Sequence, residues 1–200
     1  MRHLAPSGPL LSSLVLGALV LGSPAEPLGA QAAPAGPESP TAAVAALGSV
    51  MYNDQANMRE PTDSAMATLA TQVLRTRLAE LLGPQLLDPV ATDSLARSPE
   101  ALAVAAGVPC TTRLACAQFV GRTQDARWVV MTKVSKTSNL IWLLSAQLVR
   151  VSTGELVLDD TTELKGDPGT MIRVGTRIFA ERVARTIKLG GYTTNFPEAP

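Results

Sequence analysis

Few side chains in this sequence offer chemistry, and their spacing limits what they can do together. Asp159, Asp160 and Glu163 form its clearest acidic cluster. Paired carboxylates are the acid and base of glycoside cleavage. Adjacent residues of a strand point to opposite faces, however, so Asp159 and Asp160 cannot serve one site. The cluster reads instead as a solvated edge that discourages strand-on-strand aggregation. Calcium would need more oxygen ligands than are evident. Ser135, Lys136 and Ser138 contain the elements of a serine–lysine pair, which requires a desolvated lysine with a lowered pKa. At a turn between strands the lysine is expected to be solvated. Cys110 and Cys116 have neither C-x-x-C spacing nor a thioredoxin-like setting, and there are no further thiols or histidines to complete a tetrahedral metal site. The first reading of the two cysteines is a structural disulfide closing a small loop, with two reduced thiols as the alternative.

The single histidine is His3, so residues 33–200 cannot build Ser-His-Asp or Cys-His catalysis. No phosphate-cradling glycine motif occurs. Arg173, Arg177 and Arg185 recur near one helical face and could attract an anionic lipid or an acidic partner. Glu181 can equally pair with Arg177 and Arg185 at i±4, an ordinary exposed ladder. Trp128 and Trp142 sit in strand-like segments and are expected in the core, with sugar stacking by Trp142 as the alternative. No metal, no cofactor and no catalytic residue is assigned.

These groups hang on a chain of 200 residues with 46% hydrophobic and 17% charged residues, too aliphatic for disorder. Lys plus Arg and Asp plus Glu both number 17, a balance that argues against nucleic acid as a partner. Residues 1–32 read as a secretory signal peptide. Arg2 and His3 precede an apolar run too short to span a bilayer, and Ala30-Gln31-Ala32 offers the cleavage pattern. The cut is placed after Ala32, with Ala25 as second choice. Its removal takes Arg2 and Glu26, one charge of each sign. No later stretch is expected to span a membrane, and the remainder is expected in the periplasm or secreted, where disulfides persist.

Residues 33–41 form a Pro/Ala-rich linker, 42–189 a single αβ domain and 190–200 a loose tail. Residues 44–51 read as one buried first strand. A helix follows from about residue 62 to 82, with Met66, Leu69, Val73, Leu74, Leu78, Leu81 and Leu82 at helical spacing and Gly83-Pro84 ending it. Residues 85–88 are a possible short strand, and 92–106 helical with a second piece starting at Pro99. Residues 113–123 form a helix with Leu114, Phe119 and Val120 inward. The period then shifts to two. Residues 127–136, 139–151 and 155–164 read as an antiparallel meander whose middle member is the fully buried central strand. The last helix, about 170–188, turns Met171, Ile178, Phe179, Val183 and Ile187 inward. The sum is an α+β fold: one mixed sheet with helices packed on it.

Residues 134–157 read VSKTSNLIWLLSAQLVRVSTGELV. This block resembles a bacterial family of exported proteins known as domain-of-unknown-function family 2380. There a lysine-serine-asparagine-leucine strand leads to a D/R-V-x-T-G-E turn, matched here by Lys136, Ser138, Asn139, Leu140, Arg150, Val151, Thr153, Gly154 and Glu155. Cys110 and Cys116 are similar to that family's cysteine region, and residues 44–82 fit its start. The sequence departs from the family at Gly166-Asp167-Pro168-Gly169-Thr170-Met171, where an acidic, tryptophan-containing approach to the final helix is usual. The resemblance implies an exported αβ domain akin to TolB amino-terminal, CsgG-like and LpoB-like envelope domains, which assemble or bind partners. The expectation is therefore a non-catalytic envelope protein that binds a protein or cell-wall component, in an oligomeric state the sequence leaves open. The polar turn Lys136, Ser138 and Asn139 is the first candidate contact. A carboxylate-based hydrolase of an envelope polymer, or a carrier of small apolar ligands built on Leu140 to Leu144, are the alternatives.

Overall fold

Hydrophobic periodicity changes along the chain from helical spacing to alternation, and the secondary structure changes with it. The computed structural model describes residues 43–53 and 60–191. The leader at 1–32, the linker at 33–41 and tail residues 192–200 lie outside the described residues. In chain order the elements are β1 (Val44–Ala46), β2 (Val50–Asn53), α1 (Asp63–Leu82), α2 (Pro89–Ala96), α3 (Pro99–Val104), α4 (Leu114–Thr123), β3 (Trp128–Lys136), β4 (Ile141–Arg150), β5 (Glu155–Lys165) and α5 (Pro168–Lys188). The sheet runs β1-β3-β4-β5, with β2 beside β3 past the end of β1. β1 and β2 are parallel to β3, and the β3-β4-β5 meander is antiparallel. The α+β class with one mixed sheet is as expected.

The first strand is split in two. Ala46 lies opposite Val130 and Val50 opposite Lys133, so the first segment advances four residues while β3 advances three. One residue is extra, which makes a bulge. Arg75, on α1, occupies the gap. Its Nε and Nη2 donate to the Ala46 carbonyl at 3.2 and 2.8 Å, and the same guanidinium grips both carboxylate oxygens of Asp93 on α2 at 2.6 and 2.9 Å. A main-chain acceptor that leaves the ladder is thereby satisfied by a charged donor. Ser49 N–H donates to Thr71 Oγ1 at 2.8 Å, which ties the bulge to α1 a second time.

One face of the sheet carries Trp128, Val130, Val134, Trp142, Leu144, Ala146 and Leu148. α1 covers it with Ala70, Leu74, Leu78 and Leu82, and α5 with Ile172, Phe179, Ala180, Val183, Ala184 and Ile187. Each leucine so buried contributes roughly 1.5–3 kcal/mol. The other face carries Val129, Met131 and Val149, packed under Ala101, Ala105, Ala117 and Val120 of the short helices. α4 rests directly on the strands: a Cβ at Gly121 would come within 2.4 Å of Val151 Cγ2 and 2.9 Å of Val129 Cγ2.

Four local expectations are corrected. The strand buried on both faces is β3, which has helices over both faces along its first half; β4 is paired on both edges too, but alternates between buried and half-buried positions. Ile178 and Leu114 are exposed, since the buried stripe of α5 runs through Ile172, Thr176, Phe179, Val183 and Ile187 and that of α4 through Cys116, Ala117 and Val120. Residues 85–88 make a 3-10 turn and a single bridge from Leu86 to Val44 rather than a strand. Gly190 and Gly191 belong to the α5 cap, with Gly191 N–H donating to the Thr186 carbonyl at 2.8 Å, and are not loose.

The Arg75 bridge has a pH signature. Hydrogen bonds from Arg75 hold the Asp93 carboxyl below its ordinary value of 3.8 against the opposing effect of burial. Its contribution is present above that pH and is lost as the pH falls through the lower folded value. Arg75→Leu is expected to cost about 2 kcal/mol at neutral pH, from an unmet carbonyl and an unpaired carboxylate. In urea unfolding it should also lose stability less steeply than the unaltered chain below pH 3.8.

Candidate functional site

The three turn residues differ in setting, and two of them, Lys136 and Asn139, border one recess. Lys136 is buried on the α1/α5 face, 3% exposed, with Nζ 3.1 and 3.3 Å from the two carboxylate oxygens of Asp63 and 3.5 Å from Glu60 Oε1. It also stands 5.5 Å from the centre of the Trp142 ring. The expectation of a solvated lysine is overturned: α1 begins above the end of β3, and its first-turn Asp63 draws the ammonium inward. Burial disfavours the charged form, but hydrogen bonding and attraction from Asp63, followed by Glu60, outweigh it, so Lys136 is held above its ordinary 10.5. That is the reverse of what a serine–lysine catalyst needs. Ser135 faces the opposite side of β3, and Ser138 Oγ accepts the N–H groups of Leu140 and Ile141, closing the turn. Asn139 is exposed. Lys136 and Asn139 border a recess of about 280 Å³ with Asp63, Trp142, Asp167 and Gly169, where α1 and α5 begin. Trp142 Nε1 is buried and has no hydrogen-bond partner among the described residues. With Trp142 4% exposed, sugar stacking on its face is not available.

The larger concavity lies on the other side of the sheet. Among the described residues, the short helices cover only the half of that face near Val129 and Val149. Over the remaining half lies a groove of about 590 Å³. Its floor is set by strand register: Lys133 opposite Ser145 opposite Thr161, and Met131 opposite Gln147 opposite Asp159. Val50 and Tyr52 of β2 extend it on one side. Its wall is the loop through Val108, Pro109, Thr111 and Thr112. Two bonds anchor that wall. Cys110 and Cys116 form a disulfide, the first of the two readings of that pair, and Thr111 Oγ1 donates to the Gly48 carbonyl in the bulge at 2.7 Å.

The floor is built for hydrogen bonding. Gln147 Nε2 donates to Asp159 Oδ1 at 3.0 Å, and Thr161 Oγ1 to Ser145 Oγ at 3.2 Å. Lys133 Nζ stands 5.1 Å from the centre of the half-exposed Tyr52 ring. Of these residues, sequence reading singles out Asp159 alone, as part of a solvated edge, and passes over the others. Their signal was present as polar residues at alternate positions of three consecutive strands, but only register shows that the three sets share one half-face. Asp159 and Asp160 do lie on opposite faces: Asp160 pairs with Arg182 of α5, away from the groove. Glu181 pairs with Arg177 at 3.6 Å as anticipated, and its other partner is Arg77 of α1 at 2.8 Å. Leu140 is exposed, Trp142 and Leu144 are core, and none of them lines the groove. No three His, Cys, Asp or Glu side chains cluster as metal ligands among the described residues.

The family described as DUF3280, "Protein of unknown function (DUF2380)", matches residues 42–183, and the chain belongs to it. No curated protein matches the chain. Among solved structures it is similar to the LpoB C-terminal domain from Salmonella enterica, at 20% identity over 62% of this chain and 83% of that one, TM-score 0.43. It is similar also to the PelC dodecamer from Paraburkholderia phytofirmans, at 13% identity over 70% and 87%, TM-score 0.39. The third is TolB from Acinetobacter baumannii, at 16% identity over 80% of this chain and 31% of that one, TM-score 0.41.

Replacing both cysteines by serine should remove about 2 kcal/mol of stability, the chain-entropy value for so small a loop. Amide hydrogen exchange should rise at Thr111 and Thr112 and stay unchanged in α5. The buried ion pair predicts non-additivity. Lys136→Met leaves Asp63 buried without its cation, and Asp63→Leu leaves Lys136 buried without its nearest carboxylate, so the double variant should unfold at higher urea than either single. Because the folded pKa of Lys136 is raised, its contribution is complete below pH 10.5 and is lost as pH rises through the higher folded value. Alkaline unfolding of the unaltered chain should accordingly begin above that pH.

Proposed function

We propose that this member of the DUF2380 family is an exported, non-catalytic envelope protein that binds a protein or cell-wall partner in the open half of its sheet. The observation that carries this reading is the groove: a half-face without helical cover among the described residues, floored by register-aligned Lys133, Ser145, Gln147, Asp159 and Thr161. A sheet face is ordinarily buried by the layer packed on it. Export is supported by the leader pattern and by the Cys110–Cys116 disulfide, a bond that persists in oxidising compartments. A binding role is supported by side chains that donate and accept hydrogen bonds without a nucleophile paired to a base. The turn at Asn139, beside the recess bordered by Lys136 and Trp142, is the second candidate contact, favoured by the unmet Trp142 Nε1.

Immobilised protein challenged separately with solubilised envelope proteins and with purified cell wall tests the reading. One of the two is expected to be retained. Gln147→Ala and Asp159→Ala should each weaken retention about tenfold, the value of one charge-assisted hydrogen bond, while Asn139→Ala retains it. Equal retention by the unaltered chain and the groove variants would move the contact elsewhere, and loss in Asn139→Ala alone would move it to the turn.

A further inference from the structure

The outer surface of the α1/α5 layer, on the opposite side of the sheet from the groove, has its own chemistry. α5 exposes Arg173, Arg177, Arg182, Arg185 and Lys188. Along the layer, Arg77 makes a sixth basic group, and the carboxylates paired with these bases are Glu80, Glu181 and Asp160 of β5. All three are engaged: Arg77 binds the first two at 2.6 and 2.8 Å, Arg177 shares Glu181, and Asp160 takes Arg182. This concentration stands out in a chain with equal numbers of acids and bases. Two large aliphatic side chains stand within it. Val174 and Ile178 are 49% and 53% exposed, one turn apart, and continue along the same ridge to Arg185. Beside that ridge α1 presents Ala65, Thr68, Gln72, Thr76 and Ala79, small or uncharged side chains.

We infer that this surface docks on an anionic lipid bilayer. Guanidinium and ammonium groups lie among lipid phosphates while Val174 and Ile178 enter the boundary between headgroups and acyl chains, as on interfacial helices. Charge complementarity selects the anionic surface. The aliphatic ridge favours lipid over an acidic protein, since a bilayer accepts protruding apolar side chains without a matching pocket. Docked this way, the protein holds its groove away from the lipid.

Co-sedimentation of the full chain with vesicles of phosphatidylcholine, with and without a minority of phosphatidylglycerol, tests this. Sedimentation is expected with the anionic vesicles only, weakening about tenfold when salt is raised until the screening length is a few ångströms. The double variant R185E/K188E and the single variant Ile178→Ser, all at exposed positions, should each lose at least that factor while melting as the unaltered chain does. Any leader is common to all chains compared, so the difference reads the helix surface. Gln147→Ala should bind vesicles fully, which separates this inference from the groove. Equal binding to neutral vesicles, absence of binding, or full binding by either helix variant would overturn it, and absence of binding would make an acidic protein the occupant to seek.

Discussion

A helix advances about 1.5 Å per residue and a strand about 3.3 Å, so a sheet is covered only as far as its helices are long. Strands of 9 to 11 residues run roughly 30–36 Å here. α1 and α5, at 20 and 21 residues, reach about 30 Å and span one face from end to end. On the other face α4 has 10 residues, about 15 Å, and α2 and α3 are shorter still. Half of that face has, among the described residues, no helix long enough to cover it. Where the cover is complete the strands carry Trp128, Val130, Val134 and Leu148. Where it stops they carry Lys133, Ser145, Gln147 and Thr161. The sequence of each strand matches the reach of the helix above it.

The two layers are not independent. Arg75 of α1 reaches round the β1 edge to Asp93 of α2 and takes the Ala46 carbonyl on the way, so the bulge that divides the first strand is also where the layers are joined. The disulfide loop closes on the same bulge through Thr111. At the far end of β3, Lys136 and Asp63 fasten the start of α1 to the sheet. Desolvation offsets much of what such a buried pair adds to stability; here the contact holds the first turn of α1 against the end of β3. The faces that result differ in character: a basic, aliphatic-ridged outer helix surface on one side and a hydrogen-bonding groove on the other.

Much of this was legible in the sequence. The leucine stripe of α1 stopped by Gly83, the break at Pro99, and the alternation from residue 127 to 164 rest on local periodicity and turn chemistry. What escaped depended on residues far apart. The bulge at 47–49 has no local mark, because its cause is a guanidinium 29 positions away. Lys136 reads as a turn lysine until Asp63, 73 positions distant, is placed above it. Ile178 was assigned to the core by hydrophobicity alone, yet Ala180 and Ala184 face the sheet because their small side chains permit close approach. The groove was missed for the same reason: alternation identified each strand, but the shared half-face appears only with the register and the helix lengths.

The central claim is that the uncovered half of the sheet is occupied when the protein is in place. Thr161, exposed on β5 over the groove, can report on it directly. A Thr161→Cys variant would be labelled with a maleimide, once as purified protein and once in intact envelopes, beside a Leu102→Cys control on the exposed side of α3. Strong labelling of the purified Thr161→Cys protein that falls several-fold in the envelope, with Leu102→Cys labelled equally in both, is the predicted result. Equal labelling of Thr161→Cys in both settings would mean that the groove stays empty, and would contradict the account.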